Sequence, residues 1–255
     1  MEQTNHECLV SVIMPAYQSE RYIADAIGSV MAQTLTDWEL LVMIDSCVDH
    51  TCRIAQDLAA RDSRIRVICN DKNLGAAGSR NRGLDLCRGA YVAFLDSDDL
   101  WHPQKLEKQL ALLQRSDAHF SYTAYSIIDE NGQKLRDDYR VPPTRSFEQM
   151  LGENVIGCST VLLCPEIARK YRFSTEYYHE DYVLWTKLLQ DGYRAVGCEE
   201  VLSSWRLSSN SRSFNKANAA RNRWHIYRHC LKLSLPKSIL AFCRYALAGL
   251  RKYRR

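Results

Sequence analysis

The sequence lacks the glycine loops that many nucleotide-binding sheets use to hold phosphate. Neither GxGxxG nor GxxxxGK[ST] occurs among its 255 residues, so dinucleotide oxidoreductase and P-loop readings lose their main support. No apolar run approaches the ~20 residues of a spanning helix. The start is polar up to Cys8, so no secretory leader is expected. Ten cysteines are present, yet none forms a CxxC pair or a zinc-like spacing. Several lie in apolar runs such as residues 158–164, which reads as reduced thiols packing as small hydrophobes in a cytoplasmic protein. Acidic residues are absent from residue 201 to the end, where 13 Lys/Arg occur, against 21 Lys/Arg and 30 Asp/Glu before it. An acidic body with a basic C-terminal segment implies an anionic partner for that segment. The 46% hydrophobic content suits one sizeable domain, alone or with a tail.

What is present alternates. Residues 9–14 (LVSVIM), 38–44 (WELLVMI), 65–69 and 91–95 (YVAFL) read as buried strands. Between them, Ile23, Ala26, Ile27, Val30 and Met31 fall at helical spacing, and residues 49–60 and 76–87 read as helices. Gly89 is expected to close the last of these, and Pro103 to open a helix to about residue 115. This order predicts an α/β fold with a mostly parallel sheet and helices on both faces. Ligands then bind beyond the carboxyl ends of the strands, at Pro15-Ala16-Tyr17, Asp45 and Asp96–Asp99. After Asp117 the pattern becomes irregular α+β. Strands are expected at residues 119–128 and 158–164, and a helix at 180–189 stopped by Gly192.

Asp96-Ser97-Asp98-Asp99 places three carboxylates within four residues. They repel one another unless a cation or solvent relieves them, and hard oxygens suit Mg2+ or Mn2+. Taken alone, the cluster reads equally as a solvated turn with capping aspartates. Farther on, Asp181, Leu184, Trp185 and Leu188 share one helical face, so Asp181 points inward while Glu180 points off the stripe.

The ordered series of motifs is similar to that of the family-2 glycosyltransferases. It runs through Val12-Ile13-Met14-Pro15-Ala16-Tyr17 with Glu20, Ser29-Val30-Met31-Ala32-Gln33-Thr34, and Asp45 with Asp49. It continues with Asn73-Leu74-Gly75, Ser79-Arg80-Asn81-Arg82-Gly83, Phe94-Leu95-Asp96-Ser97-Asp98-Asp99 and Glu180-Asp181. The family often has two aspartates where this chain has Ile44-Asp45, and Asn where it has Gln18.

The resemblance implies a GT-A (Rossmann-like) fold. Residues 1–117 would form the nucleotide-sugar half, 118–214 the acceptor and base half, and 215–255 a basic helical extension. It implies an inverting transfer from a nucleoside-diphosphate sugar, UDP by default, to a lipid-linked or polysaccharide acceptor in envelope assembly. By the same resemblance Pro15, Tyr17 and Glu20 line the base pocket, Asp45 contacts base or ribose, and Arg80 lies near the diphosphate. Asp96 faces ribose and metal, Asp98 and Asp99 hold Mn2+ or Mg2+, and Asp181 is the general base. Trp205-Arg206 with residues 208–213 resembles a loop over the diphosphate, with Arg206 as its contact.

In the tail, Ile239, Cys243, Ala246, Leu247 and Leu250 align on one helical face beside Lys237, Arg244, Arg251, Lys252, Arg254 and Arg255. That pattern reads as an interfacial helix on an anionic membrane or as a helix packed on the domain. No nucleic-acid module accompanies the charge. The location expected is peripheral, on the cytoplasmic face of the plasma membrane. Two other readings stay open. A sugar-phosphate nucleotidyltransferase would need a glycine-rich basic loop after the first strand, which Met14-Pro15-Ala16-Tyr17 does not supply. An inactive nucleotide-sugar-binding protein would keep the fold without turnover.

Overall fold

A computed structural model describes residues 8–207 and 216–252. Strand β1 (Cys8–Ala16) leads into α1 (Ile23–Met31), β2 (Trp38–Ile44), α2 (Thr51–Ala59), β3 (Ile65–Cys69), α3 (Gly75–Leu86) and β4 (Gly89–Phe94). Next come β5 (Leu100–Trp101), α4 (Lys105–Gln114), β6 (Phe120–Ile128), β7 (Lys134–Tyr139) and α5 (Phe147–Gly152). The remainder is β8 (Leu162–Leu163), α6 (Pro165–Lys170), α7 (Glu180–Gln190), β9 (Ala195–Arg206), α8 (Lys216–His225) and α9 (Leu235–Lys252).

All nine strands join one sheet in the order β3-β2-β1-β4-β8-β6-β9-β5, with β7 on β6. The first half is parallel throughout, β1 pairing with both β2 and β4. Every residue of β2 is buried, as expected of a parallel strand covered on both faces. The period-two alternation divides the core. Val10, Val12 and Met14 pack with Ile23, Ile27, Leu106 and Leu110 of α1 and α4. Ile13, Leu41 and Phe94 point the other way, toward Leu84 of α3 and Leu184 and Trp185 of α7. Each large aliphatic chain removed from water contributes roughly 1.5–3 kcal/mol before entropy is counted.

The second half is mixed. Strand β8 runs antiparallel to β4 and β6, whereas β6 and β9 are parallel. The strand predicted at residues 158–164 is instead a 3-10 turn, Cys158–Thr160, followed by the two-residue β8. The Thr160 hydroxyl donates to the Gly157 carbonyl at 2.7 Å, and such local bonds compete with a strand ladder. Gly89 does not cap α3, which ends at Leu86. It begins β4, where a Cβ would lie 2.4 Å from the Ser11 nitrogen. Arg206 is the last residue of the twelve-residue β9, not part of a loop, while residues 208–213 lie outside the described chain.

Candidate active site

Parallel pairing brings the carboxyl ends of β1, β2 and β4 to one edge. Asp45 N–H donates to the Ala16 carbonyl, Asn70 N–H to Ile44, and Leu95 N–H to Ile13. Tyr17, Asp45, Asn70 and Asp96 therefore leave the sheet side by side.

Tyr17 is half exposed, and Gln18 and Ser46 adopt left-handed φ of 47° and 55° in the loops beyond β1 and β2. These two loops are laced together. The Glu20 carboxylate accepts the His50 N–H at 2.9 Å, and Asp49 accepts the N–H of Glu20 at 3.2 Å and of Thr51 at 3.1 Å. Pro15 is partly buried in the β1 terminus just before this junction.

Asp45 is buried, and both of its oxygens are engaged. They accept from Asn70 Nδ2 at 2.9 Å and from the backbone N–H groups of Leu74 and Gly75, each at 2.8 Å. The carboxylate thus sits on the N-terminus of α3, where the exposed amides and the helix dipole favour a negative charge. Gly75 enters that helix at φ +68°, a conformation glycine adopts without a Cβ penalty.

Each residue of Ser79-Arg80-Asn81-Arg82-Gly83 has a contact that explains its type. Ser79 accepts from Asn70 Nδ2 at 2.8 Å, and Asn81 exchanges two 2.8 Å bonds with the backbone of Phe173. Arg82 donates to the Cys69 carbonyl and to Asn70 Oδ1. Gly83 lets α3 approach β1, since a Cβ would meet Ile13 at 2.5 Å. Arg80, with a side chain only 4% exposed, donates to Asp96 at 2.5 Å and to Glu180 at 2.7 Å. Its guanidinium fork joins the acidic loop to the start of α7. Glu180, which helical spacing turned away from the apolar stripe, is the second prong of this bridge.

The four residues of the acidic cluster separate by environment. Asp96 has a 37% exposed side chain, and its N–H donates to Ser159 Oγ at 3.0 Å. The Ser97 hydroxyl meets that of Ser19 at 2.6 Å. Asp98 is partly exposed. Asp99 is buried, accepting from the Ser159 hydroxyl at 2.6 Å and the Arg206 N–H at 2.9 Å. Burial, then the charges of Asp98 and Asp96, push its carboxyl well above the usual range. Arg206 is buried over the ring of Tyr22 and donates to the carbonyls of Asp98, Asp129 and Glu130. It braces the loop from behind.

Ser159 is the site residue that sequence reasoning missed. It grips both ends of the acidic loop, and its own carbonyl is held by Trp101 Nε1 at 2.7 Å. The only trace in the sequence is a polar Ser-Thr pair inside an apolar run.

Asp181 lies at the first turn of α7, after His179 enters at φ +65°. Burial, then the neighbouring Glu180, raise its carboxyl from 3.8 to about 6, against the opposing pull of the Tyr182 N–H and Arg80. A carboxyl poised near neutrality can hold or release a proton at working pH. Together the edge offers an open loop junction at Tyr17, a braced acidic loop and, in Asp181, a carboxyl raised toward neutrality. In open α/β sheets, ligands bind at this edge, beyond the carboxyl ends of the strands.

Residues 11–169 match the family described as Glycosyl transferase family 2. A Bacillus subtilis chain assigned to teichuronic acid biosynthesis, the glycosyltransferase TuaG, is 37% identical, covering 98% of this chain and 99% of the relative. Escherichia coli WfgD, a UDP-Glc:alpha-D-GlcNAc-diphosphoundecaprenol beta-1,3-glucosyltransferase, is 35% identical over 96% of this chain and 95% of its own. Staphylococcus aureus TarS, residues 1–349 in complex with UDP-GlcNAc, superposes with a TM-score of 0.69 at 19% identity, covering 91% of this chain and 79% of that one. The Pyrobaculum calidifontis mannosyltransferase PcManGT, with GDP-Man and Mn2+, gives a TM-score of 0.69 at 17% identity, over 95% and 70%. The chain belongs to glycosyltransferase family 2 and has the GT-A fold.

Proposed function

We propose that this glycosyltransferase moves a sugar from a UDP-sugar to a hydroxyl of a lipid-linked or polysaccharide acceptor, with inversion, in the assembly of a cell-envelope polysaccharide. The observation that carries the reading is Asp181, raised to about 6 and tied through the Glu180–Arg80–Asp96 chain to the acidic loop. The UDP donor is supported by the UDP-GlcNAc bound in TarS, and the lipid-linked acceptor by the diphosphoundecaprenol named in WfgD.

Tyr17, Pro15 and Glu20 form the open loop junction proposed for the nucleobase. Asp45 acts there by fixing residues 70–75 and the start of α3, since its oxygens are taken by Asn70, Leu74 and Gly75. Asp96 is offered to the ribose side, held in place by Arg80.

Among the described residues, no three His, Cys, Asp or Glu side chains converge as a ready-made cation site. The donor set fits a cation shared with the substrate, because Mg2+ binds through one or two carboxylates plus phosphates and water. Asp98, partly exposed, is the proposed ligand, with Asp96 beside it. Asp99 is buried between Ser159 and Arg206 and is proposed as the anchor of the loop. When bound, Mn2+ or Mg2+ supplies charge neutralisation for the diphosphate.

In the transfer, the acceptor oxygen bonds to the anomeric carbon as the bond to the diphosphate oxygen breaks on the opposite face. The acceptor proton passes to an Asp181 carboxylate oxygen. Arg80 keeps Asp181 low enough to be ionised at neutral pH, and Arg206 holds the Asp98 carbonyl and the Asp99 turn in place. No described helix is long and apolar enough to cross a membrane. The location proposed is peripheral, on the cytoplasmic face, where a lipid-linked acceptor is reached. Asp181→Asn should retain UDP-sugar binding by thermal shift and lose transfer by about 10²–10⁴-fold; near-normal turnover would refute the assignment.

A further inference from the structure

Helix α9 packs on the domain by one face only. Ser238 and Ala241 are buried, and the Phe242 ring meets Trp224 edge-on at 5.7 Å. Arg244 crosses the Gly152 position of α5 by its stem, where a Cβ on the glycine would lie 3.2 Å from the Arg244 Cβ. The opposite face is left open. Leu235, Ile239, Leu240 and Leu247 are each about half exposed, at 52%, 49%, 53% and 55%, and Cys243 between them is exposed. At 100° per residue these positions fall within an arc of about 140°. Soluble surfaces seldom leave a contiguous apolar stripe of this kind without a use for it. The helix packs on the domain, and its apolar side still faces outward.

Charge selects the occupant. Exposed Arg244 flanks the stripe, Lys237 sits at its start 3.5 Å from Glu148, and no acidic residue occurs from 201 onward. A second copy laid on the same stripe would set basic flanks against each other with no acid in the segment to pair them. An anionic lipid surface accepts both the apolar stripe and the basic flank.

The helix is also fastened to the catalytic end of the molecule. Arg223 of α8 lies 3.4 Å over the Tyr182 ring, one residue beyond Asp181, and 4.9 Å from the Tyr245 ring of α9. The neighbouring Asn222 donates to the Tyr178 carbonyl at 2.5 Å. We propose that the exposed face of α9 lies in the interface of an anionic bilayer, and that the Tyr245–Arg223–Tyr182 stack ties the base-bearing end of α7 to that seat. The lipid binding stands on the helix alone. Its use, delivery of a lipid-linked acceptor to Asp181, rests on the transferase reading above.

The test is flotation of the full chain with vesicles of phosphatidylglycerol and phosphatidylcholine, against phosphatidylcholine alone. The wild type should float with the anionic vesicles. Leu240→Ser with Leu247→Ser should lower the bound fraction at least ten-fold, and Arg244→Gln should weaken binding at low salt and make it less sensitive to salt. Both variants should keep transfer to a detergent-dispersed acceptor, while the leucine variant loses transfer to the same acceptor held in vesicles. Wild type that stays in solution, or variants that bind as well as it does, would overturn the proposal. So would a lipid-free dimer by sedimentation that the two serines dissociate. Because flotation needs no turnover, its failure is separate from failure of the transferase reading, which would instead abolish transfer in detergent.

Discussion

Replacing Arg80 by Gln removes a buried charge that joins the acidic loop to α7. The guanidinium is 4% exposed, and its partners Asp96 and Glu180 are 37% and 14% exposed. Removing one partner from a buried ion pair costs about 3–5 kcal/mol. The low end, about 3 kcal/mol, applies here because Asp96 can rehydrate. For a chain of this size that lowers Tm by about 6–12 °C. The second consequence is specific to the site. Arg80 holds the Asp181 pKa down, while Glu180 and Asp96 push it up. With that cation gone, both carboxylates act more strongly on Asp181, and the acid limb of kcat/KM moves upward by about one pH unit from its wild-type position near 6. Arg80→Lys keeps the charge without the fork and should fall between the two. The assay is a pH–rate profile on folded variants, with Tm measured in parallel. A limb that stays at the wild-type pH while stability falls would refute the electrostatic part of the reasoning and leave Arg80 a packing residue.

Ser159→Ala takes a donor from buried Asp99 and an acceptor from the Asp96 N–H; stability should drop by about 1–3 kcal/mol and kcat should fall with it. Ser159→Thr, which keeps the hydroxyl, should restore both, and failure to do so would argue against the hydrogen bonds. Asp98→Asn should raise the Mn2+ concentration for half-maximal transfer about ten-fold or more; the opposite pattern, with Asp99→Asn the sensitive variant, would exchange their roles. Asp181 is an acid with a raised folded pKa, so its contribution to stability is full below 3.8 and is lost as pH rises through about 6. Moving from 3.8 to about 6 corresponds to about 3 kcal/mol at most, and to about half that given the partial exposure of residue 181. Asp181→Asn should therefore be the more stable protein at pH 8 by chemical denaturation, with the gain gone at pH 4.

The parallel half of the fold was legible because its strands are continuous apolar runs, two of which end at acidic residues. Val10–Met14, Trp38–Ile44 and Tyr91–Leu95 pair in one sheet, and Asp45 and Asp96 follow directly. The second half was harder to read. Residues 195–206 alternate too irregularly to announce a long strand, with Glu199 and Glu200 exposed where β9 shifts register against β6. Pattern set Asp98 and Asp99 together as metal ligands, apart from Asp96, but could not separate those two, since exposure is fixed by residues far away in sequence: Ser159 and Arg206 enclose Asp99, while Asp98 stays partly exposed. Arg206 was expected to contact the diphosphate, and its role as a brace was not legible, because its partners are backbone carbonyls at 98, 129 and 130. Asp45 was expected to face the nucleoside. Its grip on α3 depends on a loop closure across some thirty residues that no local spacing shows.

Transfer is proposed as a single displacement at the anomeric carbon assisted by Asp181. The most direct measurement is the anomeric configuration of the newly formed bond, read by NMR after transfer from an α-linked UDP-sugar. A β bond is expected, formed by the wild type and not by Asp181→Asn; an α bond would contradict a single displacement.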